Sequence, residues 1–331
     1  MNDYTAALRA AVRFMRENER FLIVSHVNPD GDTTSAALVT ARLLDQLGKS
    51  CVIVNEGATP RKFDFLPGYA KIVNLAQQQL AETFSHVIAV DAADFKRMGD
   101  VTRLFAADVQ LLNIDHHPTN DHFGAINVIR TDAAATVEIM YDLVEAGSFR
   151  IDQEIATCLY TGLVTDTGGF RYANTSPRVL EIAAKLLPHG VKPAEIAERC
   201  LEMISVGHIR LLQRALQTLE LTHRQLVASL RVTHRDLVGT NASSDDLSGL
   251  VNYGRNIEGV EVGVLLSEMQ PGVVKVNLRS RSQVDVSQIA KQFGGGGHAR
   301  AAGYTYYGAI TEAEQELFAS LSTALGVNRD E

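Results

Sequence analysis

In the first half of the chain, acidic and imidazole side chains recur just after short apolar runs. Ser25-His26-Val27-Asn28-Pro29-Asp30-Gly31-Asp32 follows Phe21–Val24, and Pro29 and Gly31 mark a turn that offers His26, Asp30 and Asp32. Asp91 follows Val87–Val90, and Asp115-His116-His117-Pro118 follows Gln110–Ile114. Asp166 sits in Thr165–Gly169, after a helical stretch through Leu163. One aspartate after a strand is ordinarily a cap or turn former. Several carboxylates gathered at one edge are costly unless a cation neutralises them. Carboxylate oxygen and imidazole nitrogen, with no thiolate in any motif, favour Mn²⁺ or Mg²⁺, then Fe²⁺ or Co²⁺, over structural zinc. Six ligands exceed what one ion that also holds substrate can use, so two ions sharing a carboxylate fit better. Such a pair, about 3.5–4 Å apart, can activate a water and stabilise both oxygens of an in-line phosphoryl displacement.

The elements that would position these groups alternate between two periods. Helical spacing over residues 5–15 and 35–47, the second ending at Gly48, separates the continuous apolar runs at 21–24, 51–54, 87–90 and 110–114. This pattern predicts an α/β fold with a mainly parallel sheet covered by helices, where ligands bind outside the carboxyl ends of the strands. Residues 133–219 read as mostly helical. From about residue 225 the texture changes, with strand-like runs at 225–232, 260–266 and 273–278 and helical segments at 244–255, 286–293 and 311–325. The reading is a metal-binding domain over residues 1–190, a helical linker over 191–224 and a smaller α+β domain over 225–331, with the site in the cleft between the domains.

Composition limits the partners. The net charge of −8 argues against long duplex nucleic acid, whose non-specific binding draws on a broad basic field. Locally the sign reverses: Lys275, Arg279, Arg281, Lys291 and Arg300 stand against Asp285 alone, which suits a small anionic substrate. No apolar stretch approaches the roughly 20 residues of a membrane helix, and the N-terminus lacks a signal-peptide apolar centre, so a cytoplasmic, membrane-free location is expected. Cys51, Cys158 and Cys200 show no pairing and read as small buried hydrophobes.

His26-x-x-x-Asp30-x-Asp32, Asp91, Asp115-His116-His117 and Asp166 resemble, in order, the four motifs of the DHH phosphoesterase superfamily. Gly294-Gly295-Gly296-Gly297-His298-Ala299-Arg300-Ala301-Ala302-Gly303 looks like the signature of the DHH-associated domain. Size and the absence of extra modules make the chain most similar to the bacterial group that degrades very short RNA and dephosphorylates 3′-phosphoadenosine 5′-phosphate. The resemblance implies two Mn²⁺ ions, with Mg²⁺ or Co²⁺ as substitutes. His26, Asp30 and Asp91 would hold one, Asp32, Asp91, His116 and Asp166 the other, with Asp91 as the bridge. Asp115 would orient His116. His117 would face the scissile phosphate as hydrogen-bond donor or proton donor. His122 reads as a loop residue, Asp94 as a helix cap and Glu138 as part of the following helix.

In the C-terminal part the glycines allow close backbone approach, and the N–H groups of Gly295, Gly296 and Gly297 beside His298 could cradle a phosphate. Arg279-Ser280-Arg281 ends a strand-like run. Arg279 is favoured as the clamp, with Ser280 beside it as a further substrate contact, because family members carry an arginine-serine pair there, although alternation would put Arg281 on the same face as Arg279. The expected substrates are short RNA, a dinucleotide or 3′-phosphoadenosine 5′-phosphate. Cleavage direction stays open, and a homodimer is expected by resemblance. A cyclic- or linear-dinucleotide phosphodiesterase needs the same centre, and a single-strand DNA exonuclease would be expected to need a longer basic track. Inorganic pyrophosphatases and exopolyphosphatases carry a different C-terminal domain. A non-catalytic nucleotide sensor would show eroded ligands, and none is eroded.

Overall fold

Apolar runs rich in β-branched residues form the strands of the first of two units into which the chain divides, residues 1–203 and 204–331. The computed structural model describes residues 2–329. In the first unit β1 (Arg20–Val24), β2 (Ser50–Asn55), β3 (Ile72–Asn74), β4 (Phe84–Val90), β5 (Phe105–Asp115) and β6 (Ile126–Ile129) form one sheet in the order β3-β2-β1-β4-β5-β6. Every neighbouring pair is parallel. Helices α1 (Asn2–Glu17), α2 (Gly31–Gln46), α3 (Thr136–Gly147), α4 (Gln153–Asp166), α5 (Pro177–Leu186) and the short α6 (Pro193–Ala197) complete it. Ile23, Ile88 and Leu112 pack with residues of α1 to α6 in one core, whereas Leu22, Val24, Val87 and Ala89 pack with Met98, Val101 and Leu104 of a 3-10 segment on the other face. Chain order reverses between β1 and β4, the switch point where a parallel sheet opens a crevice at its carboxyl edge.

The second unit carries a mixed sheet. Strands β7 (Glu220–Thr222), β8 (Val227–Val232), β9 (Val262–Gln270), β10 (Val273–Ser280), β11 (Gly296–His298) and β12 (Ala301–Tyr307) lie in the order β11-β12-β10-β9-β8-β7. Only β8 and β9 pair in parallel. Buried residues of α7 (Val206–Gln217), α8 (His234–Thr240) and α9 (Leu250–Arg255) pack with Leu230 and Leu265, and those of α10 (Val286–Gln292) and α11 (Ile310–Leu325) with Val264 and Val276. Alternating strand residues thus supply two cores.

One expectation is corrected. Residues 191–224 are not a helical linker: the division falls after Met203, α7 buries Leu211 and Ala215 against Leu230 and Val232, and β7 is an edge strand. The glycine run forms part of the same sheet. Gly296, Gly297 and His298 pair with Gly303, Ala302 and Ala301 as the other edge strand. At Gly297, with φ 139°, a Cβ would lie 2.4 Å from the Ala301 carbonyl oxygen, so only glycine lets the strands approach this closely. No helix among the described residues is long and apolar enough to cross a membrane.

Candidate metal centre

The centre is assembled from the carboxyl ends of β1, β4 and β5 and the ends of two helices. Past β1, the Asp30 side chain caps α2, accepting from Thr33 N at 3.0 Å, which starts the helix at Gly31 rather than Ser35. His26 is buried beside it, with Nε2 2.8 Å from Thr33 Oγ1. In the first turn of α2, the wholly buried Asp32 reaches the N-terminus of α3, where its two oxygens accept from Thr136 N at 2.6 Å and Val137 N at 2.9 Å. The N-cap residue of α3, Ala135, has no side chain to cap with, so an aspartate 104 residues away from Thr136 does so.

Asp91 follows β4 in a left-handed conformation, φ 57°, which Asp tolerates better than most side chains. Its two oxygens face different neighbours. Oδ2 accepts from Thr33 Oγ1 at 2.5 Å and lies 3.4 Å from His26 Nε2. Oδ1 accepts from Thr136 Oγ1 at 2.9 Å and lies 3.7 Å from His116 Nε2. His116 Nε2 is also 3.6 Å from Asp166 Oδ2 at the end of α4. Ligand atoms of His26, Asp30 and Asp91 gather within 4.8 Å of one another, and so do those of Asp32, Asp91 and His116.

Within the DHH triplet the expected partnership is corrected. Asp115 holds His117, with Oδ1 2.7 Å from Nδ1, and its Oδ2 accepts from Asn120 Nδ2 at 2.6 Å. His116 turns to the Ala133 carbonyl, 3.2 Å from Nδ1. Both imidazoles still face the Asp91 carboxylate, His117 Nδ1 lying 3.5 Å and His116 Nε2 3.7 Å from Oδ1, with the two rings 4.8 Å apart. Asp94 does cap the segment that follows Asp91, and Glu138 does lie in α3. His122 sits in an exposed loop with φ 57°.

The electrostatics fit divalent cations. Burial, then the charges of Asp91 and Asp30, push the Asp32 carboxyl well above its usual range despite its two N–H donors. Burial, then Asp32, Asp30 and Asp91, do the same to Asp166. Burial would also raise Asp91, but the His26 hydrogen bond and the charges of His117, His26 and His116 hold it well below. A set in which two acids are driven toward the protonated form is one that a dication would hold ionised. Nδ1 of His26 is, in addition, buried without a hydrogen-bond partner. Burial would lower the His117 imidazole, but the bond from Asp115 and the charges of Asp91 and Asp115 raise it.

In the second unit, Arg279 is half-buried on β10, with Nη1 donating to its neighbour's carbonyl, Leu278 O, at 3.0 Å. Ser280 points to the opposite side: it is buried and its hydroxyl donates to Ala299 O at 3.3 Å. The strand ends there, so alternation does not carry to the exposed Arg281. Sequence reasoning missed Thr33, Asn120, Ala133 and Thr136. Only Thr33, three residues after a capping aspartate, carries a local signal.

Comparison with known proteins gives a consistent picture. Residues 20–163 match the DHH family, N-terminal domain, and residues 225–326 match the DHHA1 domain. A bifunctional oligoribonuclease and PAP phosphatase NrnA from Thermus thermophilus is 37% identical over 286 residues, 86% of this chain and 84% of that protein. Its counterpart from Bacillus subtilis is 25% identical over 301 residues, 89% of this chain and 92% of that protein. An exopolyphosphatase-related protein from Bacteroides fragilis superposes with a TM-score of 0.88 and 26% identity, over 97% of this chain and 96% of its own. RecJ from Thermus thermophilus, solved in complex with Mn²⁺, shares the fold at a TM-score of 0.56 and 14% identity, over 98% of this chain and 56% of RecJ.

Proposed function

This chain belongs to the DHH family of phosphoesterases, and on that premise we propose that it hydrolyses short oligoribonucleotides to nucleoside monophosphates, 3′-phosphoadenosine 5′-phosphate to AMP, or both, with two Mn²⁺ ions. The observation that carries this reading is Asp91, whose two oxygens face two separate donor groups. His26, Asp30 and Asp91 would hold one ion, and Asp32, Asp91, His116 and Asp166 the other. When bound, the pair supplies an activated water and offsets negative charge at phosphorus.

The chain's own residues do the rest. Asp115 fixes the ring of His117 through Nδ1, so the imidazole presents Nε2 to substrate. Its raised proton affinity keeps a proton there to stabilise the phosphorane-like charge or to protonate the leaving oxygen. No covalent intermediate on the protein is needed. Arg279, His298 and the backbone of Gly296 and Gly297 are assigned to a substrate phosphate, supported by the local basic excess, whereas the N–H of Gly295, also expected there, is held by Ala290 O at 2.9 Å. Ser280, with its hydroxyl turned to Ala299, shapes the strand end rather than touching substrate.

The test is a time course with Mn²⁺ on labelled RNAs of about two to seven nucleotides, 3′-phosphoadenosine 5′-phosphate, and linear and cyclic dinucleotides. Mononucleotides from the short RNAs, or AMP and orthophosphate from the bisphosphate, are expected. Turnover confined to cyclic dinucleotides, or to long single-stranded DNA, would replace the proposed substrate class. Binding of all of them without turnover would mark a sensor.

A further inference from the structure

The turn that leads into α3 touches three of the proposed ligands although it supplies none. Ala133 O takes His116 Nδ1 at 3.2 Å, Thr136 N and Val137 N hold Asp32, and Thr136 Oγ1 donates to Asp91 Oδ1 at 2.9 Å. The turn is braced from behind. Glu138 accepts from Ala134 N at 2.8 Å and pairs with Arg130, which also reaches Asp142 at 2.5 Å. Thr136 is wholly buried, so its hydroxyl has no water to turn to. On the other side of Asp91, Thr33 Oγ1 holds Oδ2. Each oxygen of the carboxylate therefore meets a hydroxyl, that of Thr33 shared with Asp30 Oδ1 at 2.9 Å, and the two contacts orient the carboxylate.

We propose that Thr136 is a positioning residue for the second cation: its hydroxyl, held by the turn that also caps Asp32, fixes Asp91 Oδ1 toward the group of Asp32, His116 and Asp166. This rests on the two-cation reading above. Without the hydroxyl, Oδ1 keeps only the longer approaches of His117 Nδ1 at 3.5 Å and His116 Nε2 at 3.7 Å, and the carboxylate turns more freely about its Cβ–Cγ bond, so the ion on that side is held more weakly. Loss of an outer hydrogen-bond partner of this kind typically costs about 10–100-fold in metal affinity.

A packing role for Thr136 makes the opposite prediction. Thr136→Val keeps the volume and removes the hydroxyl, whereas Thr136→Ser keeps the hydroxyl and removes a methyl. The experiment is a calorimetric titration of the full-length, metal-stripped chain with Mn²⁺, beside the Mn²⁺ dependence of hydrolysis. The wild type is expected to bind two ions. Thr136→Val should bind one of them about 10–100-fold more weakly, with kcat largely recovered at high Mn²⁺, and Thr136→Ser should behave as wild type. Unchanged affinities in Thr136→Val, or equal impairment of Thr136→Ser, overturn the positioning role alone. A wild type that binds fewer than two ions overturns the two-cation reading and this proposal with it. Should Thr136→Val fail to fold, Thr136→Ala against Thr136→Ser gives the same contrast.

Discussion

Asp115 Oδ1 lies 2.7 Å from Nδ1 of His117, while the intervening His116 turns its Nδ1 to the Ala133 carbonyl at 3.2 Å. The triplet is thus two devices: a carboxylate–imidazole pair and a single imidazole in the carboxylate cluster. The Asp115 bond is the leading influence that raises the imidazole against burial. His117 is then protonated to a higher pH than an ordinary histidine, and a proton-donating role is lost as pH rises through its pKa. Asp115→Asn should move the alkaline limb of kcat to lower pH and reduce kcat at neutral pH by about 10–100-fold, within the range of general-acid contributions. A pH profile of kcat at saturating Mn²⁺ that superposes on the wild type's would remove His117 as the donor.

Asp91→Ala should abolish Mn²⁺-dependent hydrolysis, because it deletes a group common to both donor sets. The variant should also lose tight binding of both ions, while its far-UV circular dichroism stays native. Near-normal activity in a folded Asp91→Ala protein would sink the shared-ligand assignment.

The metal-free protein should become less stable as pH rises from the ordinary carboxylate range. Asp32 and Asp166 have folded-state pKa values well above 3.8, so the native state binds more protons than the unfolded chain between that value and the raised ones. Stability falls with pH wherever this holds. Asp91 is lowered, so its contribution is lost only as pH falls below the usual range. In EDTA, Tm should therefore drop above about pH 4, and Asp166→Asn should flatten that drop. Added Mn²⁺ should raise Tm more at pH 8 than at pH 5, since ion binding displaces those protons. An equal Mn²⁺ shift at both pH values would contradict a centre built from these acids.

What could be read from the sequence follows from how local each cause is. His26, Asp30, Asp91 and the triplet were legible because each directly follows a continuous apolar run, and a parallel sheet brings such positions to one edge. Thr136 was not, because its hydroxyl meets Asp91 across 45 residues and nothing near it in the chain marks the contact. The choice of His117 rather than His116 as the partner of Asp115 was not legible, because β5 ends at Asp115 and both imidazoles beyond it turn toward Asp91. Strands β3, β6 and β7 are short edge or near-edge pieces without an apolar run, and β11 consists of glycine and histidine. Its pairing is dictated by what its neighbour can approach, which composition does not reveal.

That approach makes the glycine run testable one position at a time. A Cβ on Gly296 would meet no atom within 4 Å, whereas on Gly295 it would lie 2.3 Å from Gly303 O and on Gly297 2.4 Å from Ala301 O. Gly296→Ala should change stability by no more than about 0.5 kcal/mol, as surface substitutions usually do, while Gly295→Ala and Gly297→Ala should each cost more than about 1 kcal/mol. Urea denaturation of the three variants decides this, and equal costs would mean that β11 is not paired as described.

Arg279 and Arg281 separate the two views of the basic strand end. Arg279 is half-buried on β10 next to the glycine-bearing hairpin, and its strand partner Ala301 is also the partner of His298. Arg281 lies past the strand, with its guanidinium 3.3 Å from Ile257 O. If a substrate phosphate is clamped beside His298, Arg279→Ala loses a charge-assisted hydrogen bond of about 1.5–3 kcal/mol. KM should then rise by roughly 10–100-fold, with kcat much less affected. Arg281→Ala should raise KM by less than about threefold, as an exposed charge whose field is screened. Steady-state kinetics on a labelled dinucleotide measure both, and a larger effect at Arg281 would transfer the clamp to the turn that Glu261 braces through Gln283 N and Val284 N.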